Sequence, residues 1–139
     1  MTVPLGITIA LVDDSLLLRK LLSTYLTAQG FCVVCEADNG QQMLDAMADA
    51  LKLPDMCLLD TNMPVMDGYE TARRLRADYP TIKIMGYSFF DNKKSAASIL
   101  RSGAHDFISK DASADELRDA LTQLFNKQQL SSASCAVAE

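Results

Sequence analysis

The sequence is poor in several residue types, and each shortage argues against a class of protein. A single histidine argues against a zinc site built on paired histidines. The four cysteines lack the spacing of a disulfide framework, which argues against a disulfide-stapled scaffold. The 13 lysines and arginines are scattered and the formal net charge is -5, so no nucleic-acid-binding face is predicted.

Long hydrophobic runs are also missing. The first residues, MTVPLGITIALVDD, have no basic start, and their apolar stretch is broken by Pro4, Gly6, Thr8 and Asp13. This pattern is typical of neither a signal peptide nor a membrane span, so we expect a cytoplasmic protein with no membrane partner. No glycine-rich segment follows the first apolar run, which argues against a flavin or nucleotide domain.

A closely spaced pair of cysteines and the single histidine are both predicted to be structural residues. Cys32 and Cys35 have redox-motif spacing, but they lie in a predicted strand, where an odd separation places side chains on opposite faces. We therefore expect the cysteines to be thiols of the core. The one histidine, His105, is predicted to be a surface residue.

Short apolar runs alternate five times with amphipathic stretches. The pattern predicts strands over residues 7–12, 32–37, 55–60, 82–88 and 106–109. It predicts helices over residues 15–29, 39–51, 68–79, 92–101 and 113–126, the last opened by the capping-box pattern of Ser113 and Glu116. Nearly all-apolar strands that alternate with helices indicate an α/β domain with a parallel sheet covered on both faces. The domain is predicted to cover residues 5–127, with residues 128–139 as a tail or the start of a linker.

Polar side chains follow four of the predicted strands at the point where each strand ends. Asp13 and Asp14 follow the first, Asp60 ends the third, Ser88 ends the fourth and Lys110 follows the fifth. Because parallel strands end at one edge of the sheet, these groups are expected to converge there.

The three carboxylates of this cluster need a counter-charge. Two carboxylates about 4 Å apart repel by roughly 4 kcal/mol at an effective dielectric of 20. A hard divalent cation that prefers oxygen ligands is therefore expected, and Mg²⁺ fits best. With a lysine, a hydroxyl and an isolated carboxylate, this set is typical of phosphoryl transfer.

The segments IALVDDSLLLRKLL, LLDTNMPVMDGYE, IKIMGYS and GAHDFISKDASADEL resemble the receiver domain of two-component response regulators, from about residue 7 to residue 126. The resemblance implies a CheY-like, three-layer flavodoxin-like (βα)5 fold, a doubly wound parallel sheet with strand order 2-1-3-4-5. The form GA-x-D-aromatic-x-x-KD is most similar to receivers of LuxR/NarL-type transcriptional regulators, which would make the output transcriptional.

The resemblance also implies the role of each site residue. Asp60 would accept a phosphoryl group from a sensor histidine kinase or phosphotransfer protein. Asp14 would bind Mg²⁺ directly and Asp13 through a water, with Asp60 and the backbone carbonyl of Asn62 as further ligands. The groups implied to bind or answer the phosphoryl group are Lys110, the switch hydroxyl of Ser88 and the switch aromatic Phe107.

The resemblance further implies a switching surface formed by the fourth helix, fifth strand and fifth helix. That surface would act on an output domain or downstream protein, and a homodimer is a further possibility. The chain would catalyse only its own phosphorylation and slow dephosphorylation. We also hypothesise that Phe90, two residues past Ser88, shields the phosphorylated carboxylate from water.

Two alternatives from other classes stay open. One is a Mg²⁺-dependent phosphohydrolase of the haloacid-dehalogenase type, which places a second aspartate two residues after its nucleophile as a general acid. That position is Asn62, which cannot donate as an acid. The other is a non-phosphorylated receiver that serves only as a scaffold, although Asp13, Asp14, Asp60 and Lys110 are all present.

Overall fold

The computed structural model describes residues 3, 6–89 and 93–138, with only the backbone described for residues 93, 94 and 128–138. Its five strands are β1 (Thr8–Val12), β2 (Cys32–Ala37), β3 (Met56–Asp60), β4 (Lys83–Ser88) and β5 (Asp106–Ser109). Its five helices are α1 (Leu16–Ala28), α2 (Gly40–Asp49), α3 (Gly68–Asp78), α4 (Lys93–Ser102) and α5 (Ala114–Ala138). The strands pair in parallel in the order β2-β1-β3-β4-β5. The predicted fold class and strand order are therefore confirmed.

The sheet separates two hydrophobic clusters, which gives the fold its three layers. One cluster joins β1 and β3 to buried residues of α2, α3 and α4, among them Met43, Leu75 and Ile99. The other joins the opposite face to α1 and α5, through residues such as Leu26 and Leu121. All five residues of β3 are buried, because β3 is central and covered on both faces.

Polar side chains define where four of the helices begin. The side chains of Ser15, Asn39, Asp67 and Ser113 each accept a hydrogen bond from the backbone N–H three residues later, at 2.9 to 3.2 Å. These bonds satisfy N–H groups that have no partner within the helix. The helix start predicted at Ser113 is therefore confirmed.

The end of α5 differs from the expectation. The helix continues to Ala138, past the predicted end at residue 126. The segment beyond Lys127 lacks apolar periodicity, but it is rich in alanine and contains no proline or glycine, so its local propensity permits a helix. The boundary between domain and tail at residues 127 and 128 stays a prediction. No helix in the described part of the chain is long and apolar enough to cross a membrane.

The prediction for the two neighbouring thiols is wrong. Cys32 pairs with Thr8 and Cys35 pairs with Ala10. The two cysteines are three residues apart and their partners only two, because Val34 forms a β-bulge. The two cysteines therefore share a face of the sheet. Cys57 is a buried core thiol and Cys35 is half-buried, whereas Cys32 is exposed.

His105 is also placed differently from the prediction, because its half-buried ring completes the edge of β4. Its backbone N–H donates to the carbonyl of Ile84 at 2.9 Å, and its Nδ1 accepts from the Ile84 N–H at 3.0 Å. Burial, with the nearby charges of Arg76 and Lys83, lowers the pKa of His105 to about 4. The ring is therefore a neutral structural element at neutral pH.

Candidate functional site

The carboxyl ends of the strands bring the predicted charged residues together. Asp60 is the last residue of the central strand β3, and Asp13 follows the adjacent β1. Lys110 follows β5, and its Nζ lies 2.9 Å from Asp13 Oδ2 and 3.4 Å from Asp60 Oδ1. Both carboxylates are 3% exposed, so a buried ion-pair network occupies this edge of the sheet.

The loop after β3 is held against the strand by a close backbone approach. The Gly68 N–H donates to the Thr61 carbonyl at 3.0 Å. A Cβ on Gly68 would lie 2.1 Å from the Asp60 carbonyl oxygen, closer than any side chain can pack. Glycine at this position therefore lets α3 begin directly beside Asp60.

The carboxylates of the cluster carry more negative charge than Lys110 neutralises. Burial and the neighbouring Asp13 carboxylate raise the pKa of Asp60 to about 6, although Lys110 opposes this shift. Burial lowers the pKa of Lys110, but its contacts with Asp13 and Asp60 outweigh burial and the net direction is upward. One lysine thus does not fully compensate the carboxylates.

The acid cluster fits a hard divalent cation. Asp13, Asp14 and Asp60 each offer a carboxylate oxygen, and these oxygens all lie within 4.8 Å of one another. Asp13 Oδ2 is buried without a hydrogen-bond partner among the described residues; its contact with Lys110 is an ion pair. A buried carboxylate oxygen paired with a single lysine, next to two other carboxylates, is a donor set that could bind Mg²⁺.

Two further predicted site residues contact members of this cluster, and a third, Phe107, lies on β5. The backbone N–H of Asn62 donates to Asp60 Oδ1 at 3.3 Å. Ser88 ends β4, and its carbonyl accepts the Lys110 N–H at 2.9 Å, which ties the lysine turn to β4. Phe107 lies in β5 and is 37% exposed. Phe90, the proposed shielding residue, lies outside the described residues.

Two aromatic residues near the site were not assigned a role from the sequence. The Lys110 Nζ lies 5.6 Å from the centroid of the Tyr87 ring and 6.0 Å from that of Phe89. Tyr87 is buried, whereas Phe89 is 59% exposed. The available signal was their position on either side of Ser88, but only the structure shows that both rings approach the lysine.

Comparison with known proteins gives concordant matches. The family described as "Response regulator receiver domain" matches residues 9–122. The nitrate/nitrite response regulator NarL of Escherichia coli K12 is 36% identical over 117 residues, which cover 84% of this chain and 53% of that protein. The chemotaxis protein CheY of Bacillus subtilis 168 is 30% identical over 118 residues, which cover 85% of this chain and 97% of CheY.

A solved structure agrees with these matches. The receiver domain of the putative response regulator NarL from Mycobacterium tuberculosis superposes with a TM-score of 0.80 at 30% identity, covering 88% of this chain and 98% of that one. The chain thus spans about half the length of the NarL proteins from Escherichia coli but nearly all of CheY.

The family match covers most of the chain, and the fold and the strand-end acid cluster agree with it. The resemblance drawn from the sequence motifs is therefore confirmed. This chain belongs to the response regulator receiver domain family of two-component phosphorelay signalling.

Proposed function

We propose that Asp60 is the phosphoacceptor of this receiver domain. It takes the phosphoryl group from a phosphohistidine of a sensor histidine kinase or phosphotransfer protein. The observation that carries the proposal is the buried Asp60 carboxylate at the end of the central strand, beside an acid pair and 3.4 Å from Lys110 Nζ. The chain is a signalling module that catalyses only its own phosphorylation and slow dephosphorylation, not a turnover enzyme.

The donor set of the site assigns the residues that hold Mg²⁺ in this proposal. Asp14 and Asp60 would provide carboxylate oxygens, Asp13 would act through a water, and Asn62 would provide its backbone carbonyl. A cation held there would supply positive charge against the negative charge that develops on the transferring phosphoryl oxygens. The exposed position of Asp14, beside the buried Asp13 and Asp60, supports direct access of the cation to its carboxylate.

The transfer step uses groups of this chain in two roles. A carboxylate oxygen of Asp60 attacks phosphorus in line, so that an O–P bond forms while the N–P bond to the donor imidazole breaks. The bonding electron pair stays on the imidazole nitrogen that leaves. Lys110, within 3.4 Å of Asp60, stabilises the negative charge on the phosphoryl oxygens.

The response to phosphorylation involves Ser88 and Phe107. The Ser88 hydroxyl moves to hydrogen-bond the new phosphoryl oxygens, and the Phe107 ring changes rotamer with it. Phe107 lies on β5 and pairs with Gly86 of β4. A Cβ atom added to Gly86 would lie 3.6 Å from Phe107 Cβ. The 37% exposure of Phe107 supports a ring that changes rotamer on phosphorylation.

The output depends on the surface formed by α4, β5 and α5. We propose that α4, β5 and α5 pass the change to an output domain or downstream protein in the cytoplasm, and that this output is transcriptional. Similarity to NarL of Escherichia coli and the motif resemblance to LuxR/NarL-type regulators support this output. The same surface is the proposed site of homodimer formation, and the chain itself does not contact nucleic acid.

The phosphohydrolase alternative is weaker on chemical grounds. A haloacid-dehalogenase nucleophile needs a general acid two residues later, and Asn62 has no acidic proton to donate. The scaffold alternative predicts that the acid cluster has no acceptor chemistry. The experiment below separates both alternatives from the phosphoacceptor.

The proposal is tested by incubating the chain with acetyl phosphate and Mg²⁺ and measuring its intact mass. We expect a gain of one phosphoryl group that is lost in Asp60→Asn and retained in Asp45→Asn, an equivalent change on the exposed surface of α2. No gain with the native chain favours the scaffold. Catalytic release of many equivalents of phosphate without a stable adduct favours the phosphohydrolase.

A further inference from the structure

Arg19 is a buried charge that the proposed transfer step does not use. It lies in α1 and is only 7% exposed. Its Nη1 donates to the backbone carbonyl of Asp13 at 2.6 Å and to Asp38 Oδ1 at 2.7 Å, and its Nε donates to Glu36 Oε1 at 3.4 Å. A guanidinium costs several kcal/mol to bury unless it is fully paired, so this arrangement requires an explanation.

The carbonyl that Arg19 holds belongs to the peptide bond between Asp13 and Asp14. The orientation of this peptide therefore influences the direction of both side chains of the acid pair. Asp13 is fixed at two further points, because its N–H donates to the Ala37 carbonyl at 3.1 Å and its Oδ1 accepts the Ser15 N–H at 2.8 Å. Together these bonds leave Asp13 Oδ2 facing the cluster, without a hydrogen-bond partner among the described residues.

The charges around Arg19 show how it acts. Glu36 and Asp38 balance the guanidinium, and Glu36 also pairs with Lys20 at 3.3 Å. The contact of Arg19 with Asp13 is to a neutral carbonyl oxygen, not to the carboxylate. Arg19 therefore contributes geometry more than compensating charge to the acid cluster.

We propose that Arg19 is a positioning residue for the cation site, anchored by Glu36 and Asp38 and holding the Asp13–Asp14 peptide in the orientation that binds Mg²⁺. The inference rests on the proposed function, because it assumes that the acid cluster binds this cation. Groups that orient metal ligands from behind change metal affinity by about 10- to 100-fold when removed. We expect a loss near the lower end of this range, because Asp13 keeps its other two bonds.

The test is a Mg²⁺ titration of the chain followed by the backbone amide shifts in NMR spectra. We expect Arg19→Met to raise the Mg²⁺ dissociation constant about tenfold relative to the native chain. Arg118→Met is the matched control, because Arg118 is a partly buried arginine of α5 that pairs with Asp115 and Asp119. This control removes the same charge and is expected to leave the dissociation constant unchanged.

A second variant keeps the test decisive if Arg19→Met does not fold. Asp38→Asn removes the charge of one anchor of Arg19, and the buried guanidinium stays paired with Glu36. We expect a smaller rise of about three- to fivefold, judged against Asp45→Asn, which makes the same charge change on α2. The inference about Arg19 is overturned if Asp38→Asn and Asp45→Asn have equal dissociation constants, or if Arg19→Met equals the native chain. Neither result affects the proposed function. A native chain that does not bind Mg²⁺ overturns the proposed function.

Discussion

Asp60→Asn is expected to stabilise the folded chain in the absence of Mg²⁺. The native carboxylate is buried beside Asp13, and its pKa of about 6 compares with 3.8 for an unperturbed aspartate. A difference of about 2 pKa units corresponds to roughly 3 kcal/mol, which is the upper limit of what ionised Asp60 costs the fold at pH 7. Asparagine has nearly the same shape and no charge, so we expect a gain of about 1–3 kcal/mol.

The sign of the pH dependence follows from the direction of the shift. Between pH 3.8 and about 6, folded Asp60 holds its proton more strongly than unfolded Asp60 does. Its contribution to stability is therefore complete below pH 3.8 and is lost as the pH rises through about 6. The difference in stability between Asp60→Asn and the native chain is expected to grow from near zero at pH 4 to its full value at pH 7.

Urea unfolding in EDTA at several pH values between 4 and 7 measures this difference. Because the variant lacks only the titration of Asp60, other groups that titrate in this range affect both chains and cancel in the comparison. A difference that is constant with pH, or a variant that is less stable at pH 7, would refute the electrostatic argument. Added Mg²⁺ is expected to stabilise the native chain and not the variant, which reverses the order at saturation.

Three further variants test the loop, the backbone strain and the histidine. Gly68→Ala is expected to lower the free energy of unfolding by about 2–3 kcal/mol, because the new Cβ meets the Asp60 backbone; wild-type stability in urea would contradict this. Val65→Asn is expected to raise the free energy of unfolding by about 1 kcal/mol, because valine at φ 68 is strained and asparagine tolerates this conformation. Val65 is 82% exposed, so little burial is lost, and an unchanged urea midpoint would contradict the strain. His105 has a folded pKa of about 4, below its unfolded value of 6.5, so its contribution to stability is present above pH 6.5 and is lost as the pH falls towards 4. His105→Asn is expected to remove this pH dependence of the free energy of unfolding, and an identical pH profile in variant and native chain would show that the ring does not titrate as described.

The positions of the charged site residues could be predicted because each directly ends an apolar run. Asp13, Asp60 and Lys110 lie at or just past the carboxyl end of a strand, and the parallel topology then brings them to one edge. The strand boundaries agree with the prediction to within one residue, because each strand is a short apolar run set off by polar or helix-forming residues. The family motifs supplied the strand order, which periodicity alone does not determine.

Features that depend on long-range contacts could not be predicted in this way. The bulge at Val34 arises from pairing with β1, so alternation within β2 alone gave the wrong face for Cys35. The half-buried position of His105 depends on the N–H of Ile84, which lies more than twenty residues away in β4. A single polar residue in a loop gives no indication of such a partner.

The sequence of α1 contains a local signal for the role of Arg19. Arg19 lies three residues before Leu22 and seven before Leu26, so it occupies the buried stripe of α1 together with both leucines. A charged residue at a core position of an amphipathic helix requires a partner, and Arg19 pairs with Glu36 on β2 and with Asp38 just after β2. The periodicity that predicted the helix thus also marked the arginine that contacts the backbone of the acid pair, and this contact connects α1 to the site.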